Sequence, residues 1–270
     1  MAENSGIIWT DHTFNLWIGC SPVSEACDHC YAEVQVKRIN MAEWGPKGTR
    51  RRTVKSNWNK VKGWNRRARK TGIRERVFVA RLADVFDNHS SIEQIWRDDF
   101  WALIKECPYL DFQLLTKRPQ NIERYLPADW DNGYQNVWLG VTVENQPEAE
   151  RRIPILARIP AVVRFLACEP LLGEIDASNW LSTSIDWVIV GGESAPDNVR
   201  RPEDVLWYRW LRDQCLAAQV PFLFKQYAGR NQRDIKLKGQ LLDGKEWTQM
   251  PLLSLPEELE PLASQPSAAE

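Results

Sequence analysis

The chain has 270 residues, of which 43% are hydrophobic and 26% charged, with a formal net charge of -1, close to the average of a soluble globular protein and enough for one large α/β domain. No apolar run approaches the ~20 residues that span a bilayer, and the opening MAENSGIIWTDHTF lacks the basic and then apolar character of a secretory leader, so a cytoplasmic protein without membrane contact is expected. Six cysteines, three clustered and three scattered, exclude the dense framework of a small secreted domain and point to metal or redox chemistry.

In chain order, seven short apolar runs alternate with longer amphipathic segments, the pattern of βα units around a parallel sheet. They are FNLWIGC (14–20), RVFVARLAD (76–84), DFQLLTK (111–117), NVWLGVTVE (136–144), VVRFLACE (162–169), DWVIVGGE (186–193) and PFLFKQ (221–226). Their ends carry Cys20, Asp84, Lys117 with Arg118, Glu144 with Asn145, Glu169, Glu193, and Lys225 with Gln226. The carboxyl ends of parallel barrel strands form the face on which active sites are built, so these side chains are expected to share one mouth. The predicted fold is a single-domain partial or complete (β/α) barrel over residues 1–253, followed by a disordered acidic, proline-rich tail over 254–270. Helical spacing marks SIEQIWRDDFWALIKEC, QPEAERRIPILARI and PEDVLWYRWLRDQCLAAQ, with starts at Ser90 or Ser91 and at Pro202.

Between the first two runs lies a basic insertion, residues 37–76, in which fifteen Lys or Arg stand against Glu43 and Glu75. Trp44, Trp58 and Trp64 are interleaved with these cations. Cations attract phosphates and indoles stack on unpaired bases, so Arg50, Arg51, Arg52, Trp58, Trp64, Arg66 and Arg67 are expected to contact DNA or RNA. The alternative is a solvated insertion that wraps the acidic barrel.

Cys20, Cys27 and Cys30 are spaced C-x6-C-x2-C. Thiolates are soft donors that select zinc or iron–sulfur clusters. Three of them on a [4Fe–4S] cluster leave one iron open to S-adenosylmethionine. The alternatives are a zinc knuckle completed by His12, His29 or His89, and free thiols. Tyr31 directly follows the third cysteine, where it is placed to pack on a cluster or an adenine.

The segments IIWTDHTFNLWIGCSPVSEACDHCYAE, LADVFD, FQLLTKRP, NVWLGVTVEN, RFLACEPLLG, DWVIVGGES and LRDQCLAAQVPFLFKQ together resemble the phage-associated three-Cys-motif proteins, a family of unknown function regarded as similar to radical S-adenosylmethionine enzymes. The resemblance implies a radical-enzyme barrel that generates a 5'-deoxyadenosyl radical and takes its electron from a donor protein. It departs from radical enzymes in a longer first cysteine spacing and in having Gly191, Gly192 and Glu193 on the sixth run rather than the second, which leaves Asp84 or Asp87 to receive the methionyl amino group. Within such a site Lys117 and Arg118 are expected to meet the methionyl carboxylate, and Thr116, Glu144 and Asn145 the ribose or methionyl groups. The amides of Gly191 and Gly192 can approach a ligand closely, and Glu169, Glu193 and Lys225 are expected to face the substrate. Alternation along the strand turns Cys168 toward the helices if Glu169 faces the mouth.

With the basic insertion gripping a backbone, the expected reaction is modification or repair of a nucleobase, extruded because a barrel mouth cannot reach a stacked base. The rival readings are a non-catalytic nucleic-acid-binding protein with structural zinc, and a radical enzyme acting on a small molecule or peptide.

Overall fold

The computed structural model describes residues 2–253, and the tail expected over 254–270 lies outside them. In chain order the elements are β1 (His12–Phe14), β2 (Trp17–Ile18), α1 (Tyr31–Ile39), β3 (Arg51–Arg52), α2 (Lys55–Thr71), β4 (Glu75–Val79), α3 (Gln94–Glu106), β5 (Leu110–Thr116) and α4 (Ile122–Tyr125). There follow β6 (Val137–Thr142), α5 (Gln146–Ala157), β7 (Val163–Cys168), α6 (Ser178–Leu181), β8 (Trp187–Gly191), α7 (Val205–Ala217), β9 (Phe222–Gln226), α8 (Gln232–Lys238), β10 (Leu241–Leu242) and β11 (Lys245–Glu246). No helix among the described residues is long and apolar enough to cross a membrane.

Seven parallel strands form one curled sheet in the order β1-β4-β5-β6-β7-β8-β9, a half-barrel in which β1 and β9 do not meet. The partial form of the expected barrel is therefore the one observed. Each open edge is partly covered by a neighbouring segment, which reduces the unpaired backbone that invites aggregation. Ala2 bridges Thr13 of β1. At the other end, Phe224 of β9 donates its amide to the Trp247 carbonyl at 2.9 Å.

Six of the seven predicted runs coincide with strands of this sheet, while the first one divides. Its central residues pair elsewhere: Trp17 and Ile18 lie antiparallel to Arg52 and Arg51, and the sheet strand is instead His12–Phe14, in register with Val77, Phe78 and Val79. Two helices start later than predicted. The Ser91 hydroxyl accepts the Arg50 amide at 2.8 Å instead of capping α3, and α7 is capped by Asp204, whose carboxylate accepts the Leu206 amide at 2.8 Å.

Alternation along the strands divides the core into two layers. The outward faces pack on the helices in one large cluster, and the inward faces gather Trp9, Phe78, Trp138, Val163, Phe165, Trp187, Ile189 and Leu223. This inner cluster fills the lower half of the barrel. Gly140 is required there, because a Cβ at that position would stand 2.4 Å from the Phe165 ring. Ten of the 14 tryptophans are buried, so their abundance is mostly a property of the core.

The basic insertion is in large part the first crossover helix of the barrel. Trp58, Val61, Trp64 and Ala68 of α2 are buried, a stripe at helical spacing that packs on the sheet and α3. The expectation that Trp58 and Trp64 stack on nucleobases is therefore overturned: Trp64, only 2% exposed, lies parallel to His12 at 4.2 Å, and Trp58 meets Phe14 edge-on. Three of the expected phosphate contacts are committed internally as well. Arg50 is buried against Asp87 at 2.7 Å, Arg52 pairs with Asp99, and Arg67 bonds Glu75 and Glu3. Arg51 and Arg66 remain exposed.

Candidate active site

The carboxyl ends of the strands border a cleft of about 170 Å³. Its apolar floor continues the inner cluster through Trp9, Phe78 and Leu115. Thr116, Thr142, Glu169 and Lys225 stand above this floor, each on a different strand or its end, because inward-pointing positions on neighbouring strands fall at similar heights. Across the cleft stands the loop that carries Cys20, Cys27 and Cys30, all three of which line it.

This loop has little regular structure of its own, only a 3-10 turn over Glu25–Cys27 before α1 begins. Cys30 is the N-cap of α1. The Cys20 thiol is pushed up to about 12, chiefly by burial and with Asp84 acting the same way, against the opposing pull of Arg118. Among the described residues no three His, Cys, Asp or Glu side chains close around a single ion.

Arginines from distant strands hold the loop in place. Arg118 donates to the Ser21 carbonyl at 2.7 Å and to the Cys20 sulfur at 3.5 Å, while Arg50 reaches the Ser21 hydroxyl at 2.6 Å. On the far side, Glu193 accepts from Arg201 and faces His29 Nδ1 at 3.1 Å. Arg201 also donates to the Glu25 carbonyl at 2.8 Å, and Asn145 donates to the Glu25 carboxylate. Burial opposes ionisation of Glu193, but the Arg201 and His29 hydrogen bonds outweigh it and hold the carboxyl below its ordinary range.

These contacts reassign several expected roles. Asp84 accepts from the Thr116 hydroxyl, the Lys117 amide, the Phe86 amide and the Arg118 guanidinium, so its four acceptor sites are filled and it organises the wall rather than receiving a methionyl amine. Asp87 is likewise committed to Arg50. Arg118 is spent on Asp84 and the cysteine loop. Glu144 is buried completely and paired with Arg152 on the helix side at 2.7 Å, which takes it away from the cleft, and Asn145 caps α5 by accepting the Glu148 amide at 3.1 Å. A Cβ on Gly192 would meet the Ala228 nitrogen at 2.1 Å, so that glycine answers to close backbone packing. Gly191 abuts the Glu169 and Gln226 side chains.

Other placements follow the sequence reading. Glu169 and Lys225 face each other as an ion pair in the cleft. Thr116 and Lys117 line the cleft, and Tyr31 does so with 45% of its surface exposed. Cys168 is buried in the helix-side layer with Cys215 and Cys107; burial pushes the Cys107 and Cys215 thiols up to about 12. Of the histidines considered as a fourth ligand, His12 is bonded to Glu75 at 2.7 Å and His89 to Ser91 at 2.7 Å, while His29 lines the cleft.

Sequence reasoning missed Arg81, Thr142 and Arg201. Arg81 was hidden inside the run RVFVARLAD, whose strand stops at Val79, and Arg201 sits in a segment without a motif. Thr142 was signalled by its inward parity with Gly140 on the same strand.

No curated protein and no solved structure matches the chain. Residues 4–251 match a family described as "Protein of unknown function (DUF5131)", and the chain belongs to that family.

Proposed function

We propose that the protein is a radical S-adenosylmethionine enzyme that modifies or repairs a nucleobase of DNA or RNA, with an iron–sulfur cluster held by Cys20, Cys27 and Cys30 and reduced by a donor protein. The observation that carries this reading is the convergence of three thiols on one cleft at the carboxyl ends of a parallel half-barrel. The donor set is soft, matching iron–sulfur ligation. A cluster bound by three thiolates, with one iron open, would supply the electron that cleaves S-adenosylmethionine.

The chain's own residues prepare the cleft for such chemistry. The Arg118 N–H toward the Cys20 sulfur favours sulfur-borne negative charge there. The Lys117 side chain, which has no partner among the described residues, is placed to hold a methionyl carboxylate, while its amide is fixed on Asp84 at 3.1 Å. Glu169 and Lys225 stand opposite the cysteine loop, where the carboxylate and ammonium can accept or donate a proton at the substrate. The Trp9, Phe78 and Leu115 floor excludes water from the reacting groups.

The test uses anaerobically reconstituted protein reduced with dithionite, given S-adenosylmethionine and assayed for 5'-deoxyadenosine by mass spectrometry. The expected product disappears in Cys27→Ala. No product from cluster-loaded protein, with or without oligonucleotide, overturns the proposal.

A further inference from the structure

Four cations line the cleft: Arg81, Lys117, Arg118 and Lys225. Two are neutralised locally, since Arg118 pairs with Asp84 at 3.1 Å and Lys225 with Glu169. The acids there are committed too, Asp84 to four donors, Glu169 to Lys225, and Glu193 to Arg201. Of the four cations, Arg81 and Lys117 have no ion-pair partner among the described residues. A half-buried guanidinium without a counter-charge is unfavourable, so the cleft is built to receive negative charge. A methionyl carboxylate accounts for one of the two cations. The second calls for an anion on the substrate.

Arg81 is also placed against an aromatic. Its guanidinium lies over the Tyr31 ring at 5.2 Å, and the Tyr31 hydroxyl donates to the Arg81 carbonyl at 3.4 Å. The two side chains therefore stand together at the mouth, with Tyr31 still 45% exposed. Aromatic rings and arginine planes are the surfaces on which unpaired bases stack. The surface continues outward along α1 and the loop after it. Val34 is 65% exposed and Met41 37%, Trp44 lines the cleft, and Arg38 and Lys47 are exposed without an ion-pair partner among the described residues. Apolar and cationic surface extending beyond the cleft suits a polymer better than a free nucleotide.

We infer that Arg81 and Tyr31 form a nucleotide subsite at the cleft mouth, Arg81 holding a backbone phosphate and Tyr31 stacking an unpaired base of a single strand. This rests on the proposed function for its assignment of Lys117 to the cofactor. It moves nucleic-acid recognition from α2, whose indoles face the core, to α1 and the end of β4.

The test is binding of a fluorescein-labelled single-stranded oligothymidylate of about ten nucleotides to metal-free protein, followed by anisotropy across a salt series. Arg81→Ala is expected to weaken binding about tenfold and to lower the log–log salt slope by about 0.7, the loss of one phosphate contact on a single strand. Tyr31→Ala is expected to weaken it fivefold or more, as loss of one stacked base does, with binding kept in Tyr31→Phe. Arg81→Met, which keeps the aliphatic stem, replaces the alanine variant if thermal melting shows that alanine loosens the fold. Lys60→Ala with Arg69→Ala, on the exposed face of α2, is the surface control and is expected to change affinity less than twofold. Wild-type affinity in both Arg81 and Tyr31 variants overturns the inference, as does a loss confined to the α2 variant or equal binding of a polyglutamate peptide. Binding by metal-free protein does not depend on cofactor cleavage, so failure here is distinguishable from failure of the 5'-deoxyadenosine assay.

Discussion

Helix α2 and the cysteine loop are both conspicuous in the sequence, one for its Trp and cations and the other for its thiols, and they are built in opposite ways. The indoles of α2 are spent on the core, its regular spacing creates the buried face, and two of its charges, Lys62 and Arg67, end in ion pairs within the chain. The cysteine loop has only a 3-10 turn, and its shape is imposed by Arg50, Arg118, Asn145 and Arg201 from distant elements. Striking composition inside a periodic helix reports on packing. The same composition in a segment without periodicity, held open at a cleft by side chains from elsewhere, reports on a site.

The largest effect that would sharpen this contrast is expected from Trp64→Ala. Removing a buried indole that also stacks on His12 should cost about 3–5 kcal/mol, read as a fall in the urea midpoint. Next is Arg118→Ala, which strands the buried Asp84 carboxylate and should cost about 3–5 kcal/mol where the site cannot relax. Its distinguishing signature is faster iodoacetamide modification of Cys20 in metal-free protein, an effect Trp64→Ala should lack at equal stability. Glu193→Gln weakens the Arg201 and His29 contacts and should cost about 1–3 kcal/mol, with faster alkylation of Cys27 and Cys30 seen by peptide mass mapping. If alkylation is unchanged in both, the loop holds itself and the contrast fails.

A pH series probes the α2 side. Burial of Glu75 raises its pKa, but hydrogen bonds from Arg67 and His12 prevail and hold the carboxyl below its ordinary range. A depressed folded value means that the stabilisation is complete above the unfolded pKa of about 4.3 and is lost as pH falls through the lower folded value. Acid titration of the urea midpoint should therefore fall less steeply for Glu75→Gln than for the wild type. The smallest effect is expected for Lys60→Ala, within about 0.5 kcal/mol, because the side chain is exposed and has no partner among the described residues.

The sheet was legible because parallel strands buried on both faces read as apolar runs. Only the first run misled, since FNLWIGC is apolar throughout yet part of it leaves the sheet to pair with Arg51–Arg52. The convergence of Thr116, Lys117, Glu169 and Lys225 on one cleft was readable from their places at strand ends, while Cys20, Cys27 and Cys30 were marked by their spacing. The division of labour among the charges was not. Glu144 and Glu169 each stand two residues beyond a paired position, Thr142 and Ala167, yet Glu144 turns to Arg152 behind the sheet while Glu169 meets Lys225 in the cleft. Likewise nothing local separates Arg118, which holds the loop, from Lys117, whose side chain has no partner among the described residues, because the partners of Arg118 lie far along the chain.

The most direct measurement of the central claim is metal and sulfide analysis of anaerobically reconstituted protein beside Cys27→Ala. The account predicts about four irons per chain with matching sulfide and a broad absorbance near roughly 400 nm, both lost in the variant. One zinc per chain and a colourless protein, or iron bound equally by Cys27→Ala, would contradict it.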